Sequence, residues 1–254
     1  MSSSLLDMEW ELPPGVRAAC TTRLGGVSRA PWDSFNLATH VGDDAAHVAA
    51  NRARLRELLE LDAEPAWLNQ VHGLDVASLD DGLPPMPPTA DAAVTSRAGV
   101  PCVVMVADCL PVLFTTRDGS RVAAAHAGWR GLAAGVLEET VSALRVPGSH
   151  LRAWLGPTIS QKHFEVGDEV RNAFVDAHKG NAACFERNAR ERWQADLVGL
   201  AVRRLERLGV TDLSGGKWCT FAERERFFSH RRDGKGGRIA ALIWREVENE
   251  QRRR

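Results

Sequence analysis

Three residues of this chain have side chains that bind metals or activate bonds, and they stand where apolar segments give way to turns: His72, Cys109 and His126. His72 follows Trp67-Leu68-Asn69-Gln70-Val71 and precedes Gly73. Cys109 comes just after an apolar run that ends at Ala107. His126 ends a second apolar run, before the Gly128-Trp129-Arg130-Gly131 turn. If three such strand ends meet at one edge of a sheet, two imidazoles and one sulphur make a donor set that zinc accepts, with a fourth position open for water or substrate. The same atoms suit metal-free chemistry, with Cys109 as nucleophile and a histidine as its base. They also suit a purely structural role, because free cysteine is among the most buried residue types. The residues are far apart in the sequence, so spacing alone leaves these readings open.

Other polar residues fall near predicted strand ends. Free backbone N–H groups at the Gly128–Gly131 helix start, together with Arg130, would favour an anion such as phosphate. Arg23 is a second phosphate candidate, and Asn36, Asp91 and Gln161 are further candidates for substrate contact. Arg231, Arg232 and Arg238 read as a solvated basic face. His40, His47, His150, His163 and His178 show no mutual pattern and read as structural or surface residues. The chain contains no His-X-His, which argues against multicopper oxidase chemistry, since that needs imidazoles in closely spaced pairs.

The elements that must position these residues follow from hydrophobic periodicity. Val16 to Thr22 reads as a strand, preceded by a partly loose lead-in over 1–15 that ends in Pro13-Pro14-Gly15. Asp43 or Asp44 caps a helix to about Leu61, with Val48, Leu55, Leu58 and Leu59 as its apolar stripe. Residues 67–72 read as a short strand ending in His72, paired with Val76 to Leu79. Gly82 to Pro88 is too proline-rich for a helix or central strand. Leu132, Val136, Leu137, Thr140, Val141 and Leu144 predict one helix from near Arg130, stopped by Pro147-Gly148. Leu151 to Leu155 reads as a strand. Val166, Val170 and Phe174 mark a helix, and Leu197, Leu200, Leu205 and Leu208 another, closed by Gly209. Lys179 to Arg192 reads as irregular and polar. Residues 217–230 and 238–244 read as two final strands around an Arg231–Gly234 turn. Strands come in adjacent pairs as well as alternating with helices, which favours an α+β domain of mixed β-sheets flanked by helices. One domain over 16–247 and a polar tail over 248–254 complete the expected organisation.

The 254 residues suffice for a substantial core without staples. A net charge of −1 supplies no general field toward nucleic acid or an anionic membrane. No apolar run approaches the roughly 20 residues that span a bilayer, and the N-terminal residues lack the pattern of a secretory signal. Five scattered cysteines with no Cys-X-X-Cys fit a reducing compartment, so the cytoplasm is the expected location.

Longer stretches carry a resemblance. Val71-His72-Gly73, Ala107-Asp108-Cys109-Leu110-Pro111-Val112-Leu113-Phe114 and Ala125-His126-Ala127-Gly128-Trp129-Arg130-Gly131 are similar to the YfiH family, also called the laccase-domain or polyphenol oxidase family. Its members are described as purine nucleoside phosphorylases. Phe35-Asn36-Leu37, Ala90-Asp91-Ala92, Trp154-Leu155-Gly156-Pro157, Phe164-Glu165-Val166-Gly167 and Phe227-Phe228-Ser229-His230-Arg231-Arg232 continue the likeness in order. The resemblance implies a single domain with a cysteine-hydrolase-like layered fold. It implies one zinc ion held by His72, Cys109 and His126. It also implies phosphorolysis of adenosine, inosine and methylthioadenosine, with adenosine deamination as a second activity, by a monomer or homodimer. His230 departs from the family pattern, where a Tyr is expected. An amide hydrolase acting on cell-wall precursors through Cys109 and a histidine is the alternative, and a copper-dependent phenol oxidase is disfavoured.

Overall fold

Apolar runs without alternation need cover on both faces, and four packed layers supply it. The structure is a computed structural model and describes residues 3–247. Its strands are β1 (Val16–Cys20), β2 (Val76–Ser78), β3 (Ala92–Thr95), β4 (Cys102–Val106), β5 (Leu110–Thr116) and β6 (Val122–Ala127). They continue as β7 (Leu151–Leu155), β8 (Glu165–Val166), β9 (Phe185–Arg187), β10 (Trp193–Ala195), β11 (Asp212–Gly215) and β12 (Ile239–Arg245). The α-helices are α1 (Ala45–Leu59), α2 (Trp129–Ala134), α3 (Val136–Ala143), α4 (Asp168–Val175), α5 (Leu197–Arg207) and α6 (His230–Asp233).

A six-stranded mixed sheet runs β11-β7-β5-β6-β3-β2, and a three-stranded antiparallel sheet runs β1-β12-β4. A small sheet, β8-β10-β9, lies to the side. The period of two along each strand decides which core a residue enters. In β5, Leu110, Val112 and Phe114 meet the helices α2 to α5, while Leu113 faces the three-stranded sheet. In β12, Ile239, Ala241 and Ile243 face the large sheet, and Ala240, Leu242 and Trp244 face α1. Full burial of one such Leu or Ile side chain is worth about 1.5–3 kcal/mol, so two-sided burial makes these strands the rigid frame of the molecule. The expected α+β domain of mixed sheets flanked by helices is the one found.

Several local expectations need correction. Residues 67–72 form no strand. Ala66 and Asn69 make isolated bridges to Cys102 and Thr89, and β2 pairs in parallel with β3 instead. In α1, Asp44 is the cap, but Leu58 is exposed and Asn51 is buried; the Asn51 amide bonds Ser28 Oγ and the Ser34 and Asn36 carbonyls. The single helix expected after Gly128 is two, broken at Gly135, whose φ of 116° ends α2 and starts α3. Val166 belongs to β8, and the irregular polar stretch contains β9. Residues 217–230 form no strand, whereas β11, which carries little apolar signal, pairs in parallel with β7. The lead-in is bound, not loose: Leu6 N–H donates to the Cys20 carbonyl at 2.8 Å, and the Trp154 indole donates to the Met8 carbonyl at 3.1 Å. The expected tail over 248–254 lies outside the described residues.

Candidate metal and catalytic site

Strand register places the site. Pro111 of β5 pairs with His126 of β6, and Leu110 with Ala127, so Cys109, just before β5, lies opposite Gly128. On the other side of β6, Ala92 of β3 pairs with Ala125, and His126 N–H donates to the Asp91 carbonyl at 2.7 Å. His72 arrives from a loop rather than a strand end. Its φ of 61° is left-handed, a conformation rare in a non-glycine residue. The Asp91 carboxylate holds that turn: it accepts the N–H groups of Val71, His72 and Gly73 at 3.1, 2.9 and 2.6 Å. Two residues earlier, the Gln70 amide makes a two-way bond with the Met105 backbone of β4, at 2.9 and 2.8 Å.

The three predicted residues converge. One donor atom from each of His72, Cys109 and His126 lies within 4.8 Å of the other two, and Cys109 Sγ is 3.7 Å from His72 Nε2. The two imidazoles meet edge to face, centroids 4.7 Å apart. His126 is buried, Cys109 half-buried and His72 exposed, so the cluster opens outward on the His72 side. His126 Nδ1 bonds Asp91 at 2.8 Å, which leaves Nε2 for the cluster. A histidine oriented by a carboxylate on its far nitrogen is the usual arrangement behind a metal ligand. Two imidazoles and a thiolate at this separation suit the chemistry of zinc.

Charge is arranged to match. Burial opposes ionisation of Cys109, but the His126 and His72 imidazoles outweigh it and bring the thiol down to about 6. Burial likewise opposes a charged His126, yet the Cys109 sulphur and the Asp91 carboxylate outweigh it and raise the imidazole to about 9. The Cys20 and Cys102 thiols, buried without such partners, are pushed well above the ordinary range and are inert.

Asp108 was not among the expected site residues, although it precedes Cys109. Its φ of 87° turns the chain between β4 and β5. Its carboxylate is buried and accepts Thr220 Oγ1, Ser229 Oγ and Arg231 N–H at 2.6, 3.0 and 2.6 Å. Its carbonyl accepts Ile159 N–H and Thr158 Oγ1 at 3.0 and 2.6 Å. Four chain segments therefore meet at the residue that presents Cys109. An acidic residue between two apolar runs, at a turn needing positive φ, is the signal the sequence offered. Gly128 is the other omission: a Cβ there would stand 2.7 Å from His72 Cδ2 and 3.0 Å from Cys109 Sγ.

The remaining expected contacts divide. Asp91 is fully buried with both oxygens taken, so it orients the site and does not reach substrate. Asn36 is also fully buried; its amide bonds Ala38, Asp43 and the Arg238 N–H, which makes it a loop staple. Arg23 is bound to the Asp33 side chain and carbonyl and lies over the Phe228 ring, so it is not free for phosphate. Arg130 is exposed over the Trp129 ring, 4.6 Å from its centroid. Gln161 is half-buried and reaches the Gln194 carbonyl at 3.4 Å. The basic cluster is not a simple solvated face, since Arg232 donates to the Thr220, Phe221 and Phe227 carbonyls. His230 is exposed, and its Nδ1 donates to the Gly234 carbonyl at 2.7 Å.

Known proteins share this frame. Residues 17–246 match the family described as multi-copper polyphenol oxidoreductase laccase. A purine nucleoside phosphorylase of Pseudomonas aeruginosa is 52% identical over 240 residues, 94% of this chain and 97% of that protein. The purine nucleoside phosphorylase YfiH of Escherichia coli is 49% identical over 242 residues, 95% and 99% of the two chains. The crystal structure of a Neisseria meningitidis protein superposes with a TM-score of 0.93 at 46% identity and covers 96% of this chain and 100% of that one.

Proposed function

Because the chain belongs to the YfiH family of laccase-domain proteins, we propose that it is a purine nucleoside phosphorylase whose reaction centre is the His72–Cys109–His126 cluster. The observation that carries this reading is the convergence of those three donors behind the Asp91 carboxylate, in a chain about half identical to proteins of that name along nearly its whole length. The substrates are adenosine, inosine and methylthioadenosine, with phosphate as co-substrate and adenosine deamination as a second activity. His72, Cys109 and His126 would hold one zinc ion, which would supply Lewis-acid charge to the site. Five free thiols, three of them buried, support the reducing cytoplasm as the location in this reading.

In phosphorolysis a phosphate oxygen bonds C1′ of the ribose while the C1′–N9 bond breaks, and its electron pair leaves with the purine. The chain must then exclude competing water, hold an anion, and fix the sugar against it. Asp91 keeps the His126 ring and the His72 turn in place, and Asp108 does the same for Cys109. Arg130 and Gln161 are the expected contacts left free for the nucleoside.

A second reading rests on the lowered Cys109 thiol beside His126 and Asp91, a nucleophile, base and orienting acid in sequence. It makes the protein an amide hydrolase of cell-wall precursors. Copper oxidase chemistry has less support: the described residues contain one group of three donors, and multicopper chemistry needs more imidazoles.

Incubation with adenosine, with and without phosphate, separates these readings. Adenine and ribose 1-phosphate appearing only with phosphate is the expected result. Inosine formed without phosphate marks the deaminase. No product from any purine nucleoside would overturn the proposal in favour of the hydrolase.

A further inference from the structure

A phosphorylase needs a place for a dianion, and neither cation singled out from the sequence provides an evident one. Arg23 is neutralised by Asp33, and Arg130 lies in solvent over Trp129. A different pair of arginines lies at the end of the three-stranded sheet. Ile239 of β12 pairs with Val106 of β4, so Arg238 falls opposite Ala107, two residues before Cys109. Its Nη1 donates to the Gly236 and Gly237 carbonyls at 3.1 and 3.0 Å, which fixes one edge of the fork. The anionic groups that face it are Cys109 and Asp108. Asp108 is already committed to Thr220, Ser229 and Arg231.

Arg52 is the second cation. It lies flat on the Trp67 ring, 3.9 Å from its centroid, and its Nε donates to the Leu37 carbonyl at 3.0 Å. The N–H of that same Leu37 donates to the Arg238 carbonyl at 3.4 Å, so one residue bonds the Arg52 side chain and the Arg238 backbone. The carboxylate facing Arg52 is Glu64, which is bonded to the Trp67 indole and paired with Arg56. His40, three residues after Leu37, is exposed; partial burial first, then the Arg238 and Arg52 charges, disfavour its protonated form. The carboxylates near these two half-buried guanidiniums are shared with other partners, which leaves room for a further anion to complete them. A planar fork with free donors matches the oxygens of phosphate.

We propose that Arg238, Arg52 and His40 form the phosphate subsite of this protein, at the sheet end that also carries Cys109. The inference rests on the phosphorylase reading for its meaning, but not for its test. Inorganic phosphate is titrated into the full-length, zinc-loaded protein and followed by calorimetry, with phosphate KM and inosine KM measured alongside. Arg238→Met and Arg52→Met are expected to weaken phosphate binding at least tenfold and raise phosphate KM in step, with inosine KM and zinc content unchanged. Arg187→Met, at an exposed arginine of β9, is expected to leave phosphate binding as it was. Arg52 also packs on Trp67, so His40→Glu supplies an arm that disturbs no packing. It places a carboxylate where the anion would sit, and should cost a similar factor at an unchanged melting temperature. Wild-type phosphate affinity in His40→Glu and Arg238→Met would overturn the subsite. If the wild type binds phosphate, loses it in these variants and yet releases no purine, the subsite stands and the phosphorylase reading falls.

Discussion

Asp91 Oδ1 accepts two donors at once, the Nδ1–H of His126 at 2.8 Å and the backbone N–H of His72 at 2.9 Å. One oxygen therefore sets the ring of one metal-type residue and the backbone of another, though they lie on different segments. Asp91→Asn replaces an acceptor oxygen by an N–H₂ that must face other donors. Loss of a carboxylate behind a ligating histidine weakens metal binding by about 10–100-fold, and the stranded donors cost about 1–3 kcal/mol. Competitive zinc titration against a chelator, paired with thermal melting, checks both effects. Unchanged zinc affinity would show that Asp91 does not orient the cluster.

Gly128 makes a steric prediction. Gly128→Ala places a methyl 2.7 Å from His72 Cδ2 and 3.0 Å from Cys109 Sγ. Both neighbours are donors of the cluster, so relief comes by moving them apart. Zinc content and turnover should drop by an order of magnitude or more, with the far-UV spectrum of the wild type retained. Full activity in this variant would mean that the two side chains are freer than their packing indicates.

The two central cysteines should behave oppositely. Cys109→Ala removes the only sulphur of the donor cluster, and it should abolish both zinc binding and catalysis. Cys102→Ala, on fully buried β4, loses only a packed sulphur at a cost of about 1 kcal/mol and should keep both. Zinc analysis and the adenosine assay on the two purified variants read this directly.

Charge pairing within the cluster sets a pH window for the metal-free protein. The Cys109 thiol falls from an ordinary 9.0 to about 6, so its share of stability is lost as pH drops through about 6. The His126 imidazole rises from 6.5 to about 9, so its share is lost as pH climbs through about 9. The ion pair is complete between those limits; one share rises with pH while the other falls, so the melting temperature of metal-free protein should stay nearly flat across that window. Alkylation of Cys109 by iodoacetamide should switch on near pH 6. A rate that rises only near the ordinary thiol value would show the sulphur unpaired.

The large strands and the donor triad were legible because both rest on residue type: unbroken apolar runs, and Cys or His where such runs give way to turns. What stayed hidden depends on partners distant in sequence. Nothing local says that Gln70 will bond β4, so the 67–72 segment read as a strand when a side chain, not a ladder, anchors it. β11 has a glycine and a serine among its four residues, and its neighbour β7 alone makes it a strand. Asn36 and Asp91 read as candidates for substrate contact because their burial follows from bonds to loops folded over them. Arg238 looked like part of a surface charge run until register put it opposite Ala107.

β12, the last strand among the described residues, is the middle strand of its sheet, with β1 on one side and β4 on the other. During synthesis both partners leave the ribosome long before it does. Until then β4, whose end leads into the Cys109 turn, has no ladder on that side, and two apolar edges stand open to other chains. The strand that leads into the Cys109 turn therefore gains its ladder only when β12 pairs with it. A nascent copy stalled before Ile239 would be a client for chaperones and not an immature enzyme.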